Sequence, residues 1–152
     1  MVYHLIVVYR RRKGASAMTS PDARPPTVPR ASEPTFLFLC WDGPGAAALR
    51  TRDLDGHLAH VEAHWRRYVV AGPMRNPGED ALCGSMFIVL AADLEAAWAL
   101  MRGDPYISNG QYARIEVRDF TQSIGLAVGG KIWESADSIR HRAAGGPSQA
   151  RP

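Results

Sequence analysis

Residues 68–91 read YVVAGPMRNPGEDALCGSMFIVLA. Two apolar segments stand in this stretch, Tyr68–Met74 (YVVAGPM) and Gly84–Ala91 (GSMFIVLA), with the polar loop Arg75–Asp80 between them. The Gly-Pro pair stops the first strand. The second segment is apolar enough to lie centrally in a sheet. Upstream, from about Thr51 to Tyr68, the period becomes helical. Leu54, Leu58, Val61, Trp65 and Tyr68 advance by 4, 3, 4 and 3 residues, which draws one narrow apolar stripe. Further upstream, Thr35–Trp41 (TFLFLCW) is a strand closed by the loop Asp42-Gly43-Pro44-Gly45. Downstream, Asp93 caps a helix whose apolar positions are Leu94, Ala97, Trp98 and Met101. Tyr112–Phe120 (YARIEVRDF) then alternates as a fourth strand. The order β-α-β-β-α-β is the ferredoxin-like α+β arrangement, an antiparallel sheet with two helices on one face. The other face is left bare, so a partner is expected to cover it, and a homodimer is expected.

The chain has 152 residues, the size of one domain, with 46% hydrophobic and 22% charged residues. That composition supports a buried core and excludes wholesale disorder. Its formal charge of +3 invites a polyanion partner, but the charge is unevenly placed. Residues 1–34 carry six basic and two acidic groups, and residues 140–152 carry three arginines and no acid. The middle, 35–139, holds nine basic groups against thirteen acidic ones, a net −4. The basicity belongs to the ends, so no specific nucleic-acid groove is expected.

Between Gly14 and Pro34 the prolines at 21, 25, 26, 29 and 34 block regular ladders. Residues 1–34 are therefore expected to be a disordered or non-native extension, 35–133 the domain, and 134–152 a flexible tail. Met18 offers an alternative start, with 1–17 an optional extension. The rival reading makes Val2–Tyr9 an added strand. That segment is short and its charges, Arg10 to Lys13, follow it, the reverse of a secretory signal. No apolar run reaches the roughly 18–20 residues of a membrane span. A cytoplasmic protein is expected. Cys40 and Cys83 are too few for a disulfide framework and read as two buried thiols.

Several residues can carry chemistry. His57, His60 and His64 fall on one flank of the first helix, beside its apolar stripe. His60 and His64, at i and i+4, can chelate zinc, but no carboxylate or cysteine joins them at a familiar spacing, so no metal is expected. One histidine acting as an acid/base is a second reading, and a wet helix flank without a role is a third. Asp104-Pro105 is a helix-stop turn. Arg50 and Arg52 can hold a carboxylate or enolate. Gly84-Ser85 is no GxSxG elbow. Neither GxGxxG nor GxxxxGK[ST] occurs, so no nucleotide cofactor is expected. Trp65 and Trp98 lie on apolar stripes and read as core. Ser123–Trp133 (SIGLAVGGKIW) reads as a strand-like arm toward a dimer partner.

A strand ending in Asp42, then Arg50, His57-Leu58, Ala71-Gly72-Pro73, Gly84-Ser85 and Asp104-Pro105-Tyr106 stand in a characteristic order. From about Thr35 to Phe120 the chain resembles the YciI-like (YCII-related) family. The resemblance implies a dimeric α+β barrel of ferredoxin-like protomers with facing sheets and a His/Asp pocket. It implies His57 and Asp104 as the catalytic pair, with Arg50, Ser85 and Tyr106 on the substrate. The sequence departs from the pattern at Leu54, where a second arginine is usual; Arg52 stands close by. The activity implied is lyase or isomerase chemistry on a small acidic ring, as in dehydrochlorination of a chlorinated hydroxyhydroquinone. His57 would move the proton, Asp104 would orient the imidazole, and Arg50 or Ser85 would steady the oxyanion. A non-catalytic domain that binds or senses a small ligand is the other reading of the same pocket. Weak polyanion binding by the arginine-rich ends is the third.

Overall fold

The structure is a computed structural model and describes residues 26–132, 135, 136 and 140. Val2–Tyr9, Met18 and Trp133 lie outside the described residues, as do most positions of both tails.

Strand β1 (Thr35–Asp42) is followed by helices α1 (Ala46–Arg52) and α2 (Leu54–His64), then by a 3-10 turn at Trp65–Arg67. Strands β2 (Tyr68–Arg75) and β3 (Leu82–Leu90) follow in succession. Helices α3 (Leu94–Arg102) and α4 (Pro105–Ser108) lead into β4 (Tyr112–Phe120). The short strands β5 (Ile124–Gly125) and β6 (Gly130–Lys131) close the described region. The four long strands form one antiparallel sheet in the order β2-β3-β1-β4. This is the ferredoxin-like α+β fold.

The register explains the core. Phe36, Phe38 and Cys40 of β1 stand opposite Val89, Phe87 and Ser85 of β3, so all six point to the helix-bearing face. Across the other seam, Phe38 faces Val117 and Cys40 faces Ile115. Alternation carries every second side chain to one face, and of these six all but Ser85 are apolar. Ala97 and Met101 of α3 complete the cluster, and Trp98 meets Phe38 edge to face at 5.0 Å. Trp98 therefore packs on the core as its stripe predicts. Asp93 caps α3, its carboxylate accepting from the Ala96 N–H at 2.8 Å.

Three readings from the sequence need correction. The helical region begins at Ala46, before the expected Thr51, and it is broken in two. Gly45, at φ 78°, turns the chain into α1, and Asp53 separates α1 from α2. The Ala46-Ala47-Ala48 run favours helix but carries no apolar period to reveal it. Second, Trp65 is 63% exposed and is not core. Leu54 and Leu58 are also exposed, and α2 buries none of its residues. The strand opposite offers Ala71-Gly72-Pro73, side chains too short to meet the stripe, and a cavity opens between them. Third, Cys83 is only half-buried, because it sits near the start of β3 beside the loop, whereas Cys40 is fully enclosed.

Candidate active site

Asp104 ends the connection from α3 and caps α4, accepting from the Tyr106 N–H at 2.9 Å. Pro105 at the first helical position needs no amide partner there. The carboxylate is fully buried, and both of its oxygens receive the His57 Nδ1, at 2.9 and 2.8 Å. A carboxylate only accepts, so Nδ1 carries the hydrogen and Nε2 holds the lone pair of the neutral ring. The imidazole also stacks on the Tyr106 ring, with centroids 3.9 Å apart and planes within 4°. Gly56 permits the approach of α2 to α4, since a Cβ there would lie 3.0 Å from the Pro105 ring. The orientation of His57 is thus fixed by one carboxylate and one aromatic face.

Arg50, in the last turn of α1, is the second anchor. Its Nε and Nη2 donate to the two oxygens of Asp42, at 3.2 and 2.7 Å, and Nη2 also reaches Ser85 Oγ at 3.2 Å. Ser85 accepts in turn from the Tyr112 hydroxyl at 3.0 Å. The Tyr106 hydroxyl donates to the Arg50 carbonyl at 2.8 Å, joining the two anchors. Burial is the largest single influence and weighs against the Arg50 charge, but the Asp42 hydrogen bonds together with the electrostatic pull of Tyr112, Asp42 and Tyr106 overcome it and raise the pKa above the ordinary value. Burial pushes the Tyr112 phenol up to about 12, with the Ser85 bond and Arg50 opposing that rise, so it serves as a donor. Burial likewise raises the Tyr106 phenol.

His57, Arg50, Ser85 and Tyr106 border a cavity of about 710 Å³ between α2 and the β2–β3 edge, while Asp104 supports His57 from behind. The structure therefore brings the five residues expected of the site together. Arg52 does not join them: it is tied to Asp53 at 2.8 and 2.6 Å on the exposed side of the helix. His60 turns away toward α3, close against Gly103, and burial lowers its pKa. The exposed His64 donates through Nδ1 to the His60 carbonyl at 2.9 Å. Among the described residues no three His, Cys, Asp or Glu side chains are grouped as metal ligands. Sequence reasoning missed two supports of the site, Asp42 and Tyr112. Strand alternation carries Asp42 onto the face of Phe36, Phe38 and Cys40, but Tyr112 comes opposite it only through a register shift between Trp41 and Asp42, which no alternating pattern announces.

The profile of the YCII-related domain matches residues 35–121, more than half of the chain. The chain belongs to the YCII-related family. No curated protein matches this YCII-related chain. Among solved structures it is similar to 5-chloro-2-hydroxyhydroquinone dehydrochlorinase (TftG) from Burkholderia phenoliruptrix AC1100, in complex with 2,5-dihydroxybenzoquinone. The two share 25% identity with a TM-score of 0.53, over 60% of this chain and 96% of that one. Among the described residues, no helix of this YCII-related protein is long and apolar enough to cross a membrane.

Proposed function

We propose that this protein transfers a proton on a small acidic ring substrate, as a lyase or isomerase of the dehydrochlorinase kind. The observation that carries the reading is the His57 Nδ1 held by both oxygens of a buried carboxylate at the wall of a cavity. In it His57 Nε2 takes and returns the proton, and Asp104 fixes the tautomer and stabilises the imidazolium. Ser85 and the Arg50 guanidinium steady the oxyanion that forms on the ring. Tyr106 holds the imidazole plane against which the substrate is set. Similarity to a dehydrochlorinase seen with a hydroxyquinone supports this substrate class. Metal and nucleotide cofactors have no part in it. The working unit is residues 35–133, as a homodimer, and two unpaired thiols fit a cytoplasmic setting.

The test is solvent exchange and elimination. The protein is incubated in deuterium oxide with hydroxyquinones and chlorinated hydroquinones, while ring deuteration is followed by NMR and chloride release by electrode. The wild type should accelerate one of these, and His57→Ala should lower that rate by about 10²–10⁴-fold. A variant as fast as the wild type overturns the assignment. A wild type that binds these rings without accelerating either process supports instead a non-catalytic ligand-binding domain.

A further inference from the structure

The polar groups of the cavity are crowded at one end. Ser85 stands opposite Pro73, and from there the wall runs through the pair Phe87–Ala71 toward Tyr68 and Val70. Facing that wall, Leu54, Leu58 and Val61 follow one another along α2, and Trp65 stands just past its end. Eleven residues of helix at 1.5 Å each make this apolar wall about 16 Å long. A cavity of roughly 150 Å³ already accommodates a benzene ring. A single oxygenated ring at the Arg50–Ser85 end therefore leaves most of the 710 Å³ unfilled.

The charges restrict the ligand further. Arg50 is the only Arg or Lys among the described residues lining the cavity, and Asp42 already matches its charge with two hydrogen bonds. The nearby Arg52 is held outside by Asp53, and Glu62 adds a negative group to the rim on α2. A second anionic group on the ligand meets no unmatched cation there. Burying an unpaired charge is costly, so the site discriminates against dianions.

We infer that the ligand is a neutral or singly anionic ring carrying an apolar substituent of several carbons, its oxygens at Arg50–Ser85 and its substituent along the α2 stripe. The inference rests on the proton-transfer reading for the placement of the ring. The dependence on the substituent and on charge comes from the cavity walls alone.

Titration calorimetry with 2-hydroxy-1,4-naphthoquinone, its 3-butyl and 3-octyl derivatives, and 2,5-dihydroxybenzoquinone tests it. Affinity should rise along the alkyl series by up to about fourfold per methylene until the trough is filled. The doubly acidic benzoquinone should bind weakest. Leu58→Ser should reduce the octyl-to-parent affinity ratio at least about tenfold, and Asp42→Asn should favour the doubly acidic probe relative to the wild type. A flat alkyl series overturns the inference, as does tightest binding of the dianion. So does a Leu58→Ser protein that sediments as a smaller species, because the stripe is then a contact between copies. If the series rises but no ring is deuterated, only the catalytic reading falls. If a ring is deuterated and the series is flat, only the substituent falls.

Discussion

Cys40 and Tyr112 lie beneath the Arg50–Ser85 end of the cavity, and both are held uncharged. Burial pushes the Cys40 thiol up to about 12, with Arg50 opposing and the Asp104 and Asp42 carboxylates adding to the rise. Tyr112 reaches about 12 and Tyr68 is also raised, again chiefly by burial. A group whose folded pKa is raised contributes stability that is full below its unfolded pKa and is lost as pH climbs through the folded value. The melting temperature should therefore decline from about pH 9, near the ordinary thiol and phenol values, toward pH 12. Tyr112→Phe should flatten that decline, while costing about 1 kcal/mol at neutral pH for the Ser85 hydrogen bond. Scanning calorimetry across this range checks both, and an unchanged slope in the variant contradicts the placement of the phenol. At this scale the sequence was only partly legible. His57 and Asp104 are 47 residues apart, and nothing in spacing or periodicity connects them. Only the family resemblance paired them. Arg50 stood out as a cation, but its neutralisation by Asp42 depends on a strand end meeting a helix end.

The elements whose neighbours alternate were the readable ones. Tyr112–Phe120 is the fourth strand in both sequence and structure, and β1 and β3 differ from expectation by a residue or two at their ends. Period 2 survives because the sheet buries one face, and a slip by one residue would invert every side chain. The helices were harder, since α2 is not packed along its stripe and its neighbour α1 has no stripe. Within the four-stranded sheet, β3 passes β1 most closely at Gly84. A Cβ there would stand 2.2 Å from the Cys40 carbonyl oxygen and 2.8 Å from the Met74 methyl. Methionine can swing aside, whereas the β1 backbone is paired on both edges and cannot. Gly84→Ala should therefore destabilise the protein by about 1–3 kcal/mol, as overpacking does. It should also shift Ser85, the next residue, away from Arg50. Urea denaturation and ligand affinity measure the two effects. A variant as stable as the wild type would refute the close strand approach.

At the scale of the molecule, the face of the sheet opposite α1–α4 is the feature still without a partner among the described residues. Leu37, Leu39 and Trp41 of β1 and Met86 of β3 point to it and remain half-buried. Arg114, Glu116 and Arg118 of β4 border them, with Arg114 over the Trp41 ring at 5.3 Å. An apolar centre with a charged margin is the pattern of a protein interface, and a two-fold axis would let one such face cover another. We propose that two copies associate through this face. The element order, with both helices on one face, predicted the bare face, and the occupant proposed for it is a second copy of the chain. Sedimentation equilibrium at micromolar concentration should give twice the 16.6 kDa of one chain. Leu39→Glu, at the centre of the face, should return the mass to one chain by burying unpaired charge against its own copy in the assembly. Its circular dichroism should stay that of the wild type, because Leu39 faces away from the Phe36–Phe38–Cys40 core. A single-chain mass for the wild type would remove the dimer. A folded Leu39→Glu protein that still weighs two chains would move the interface to another surface.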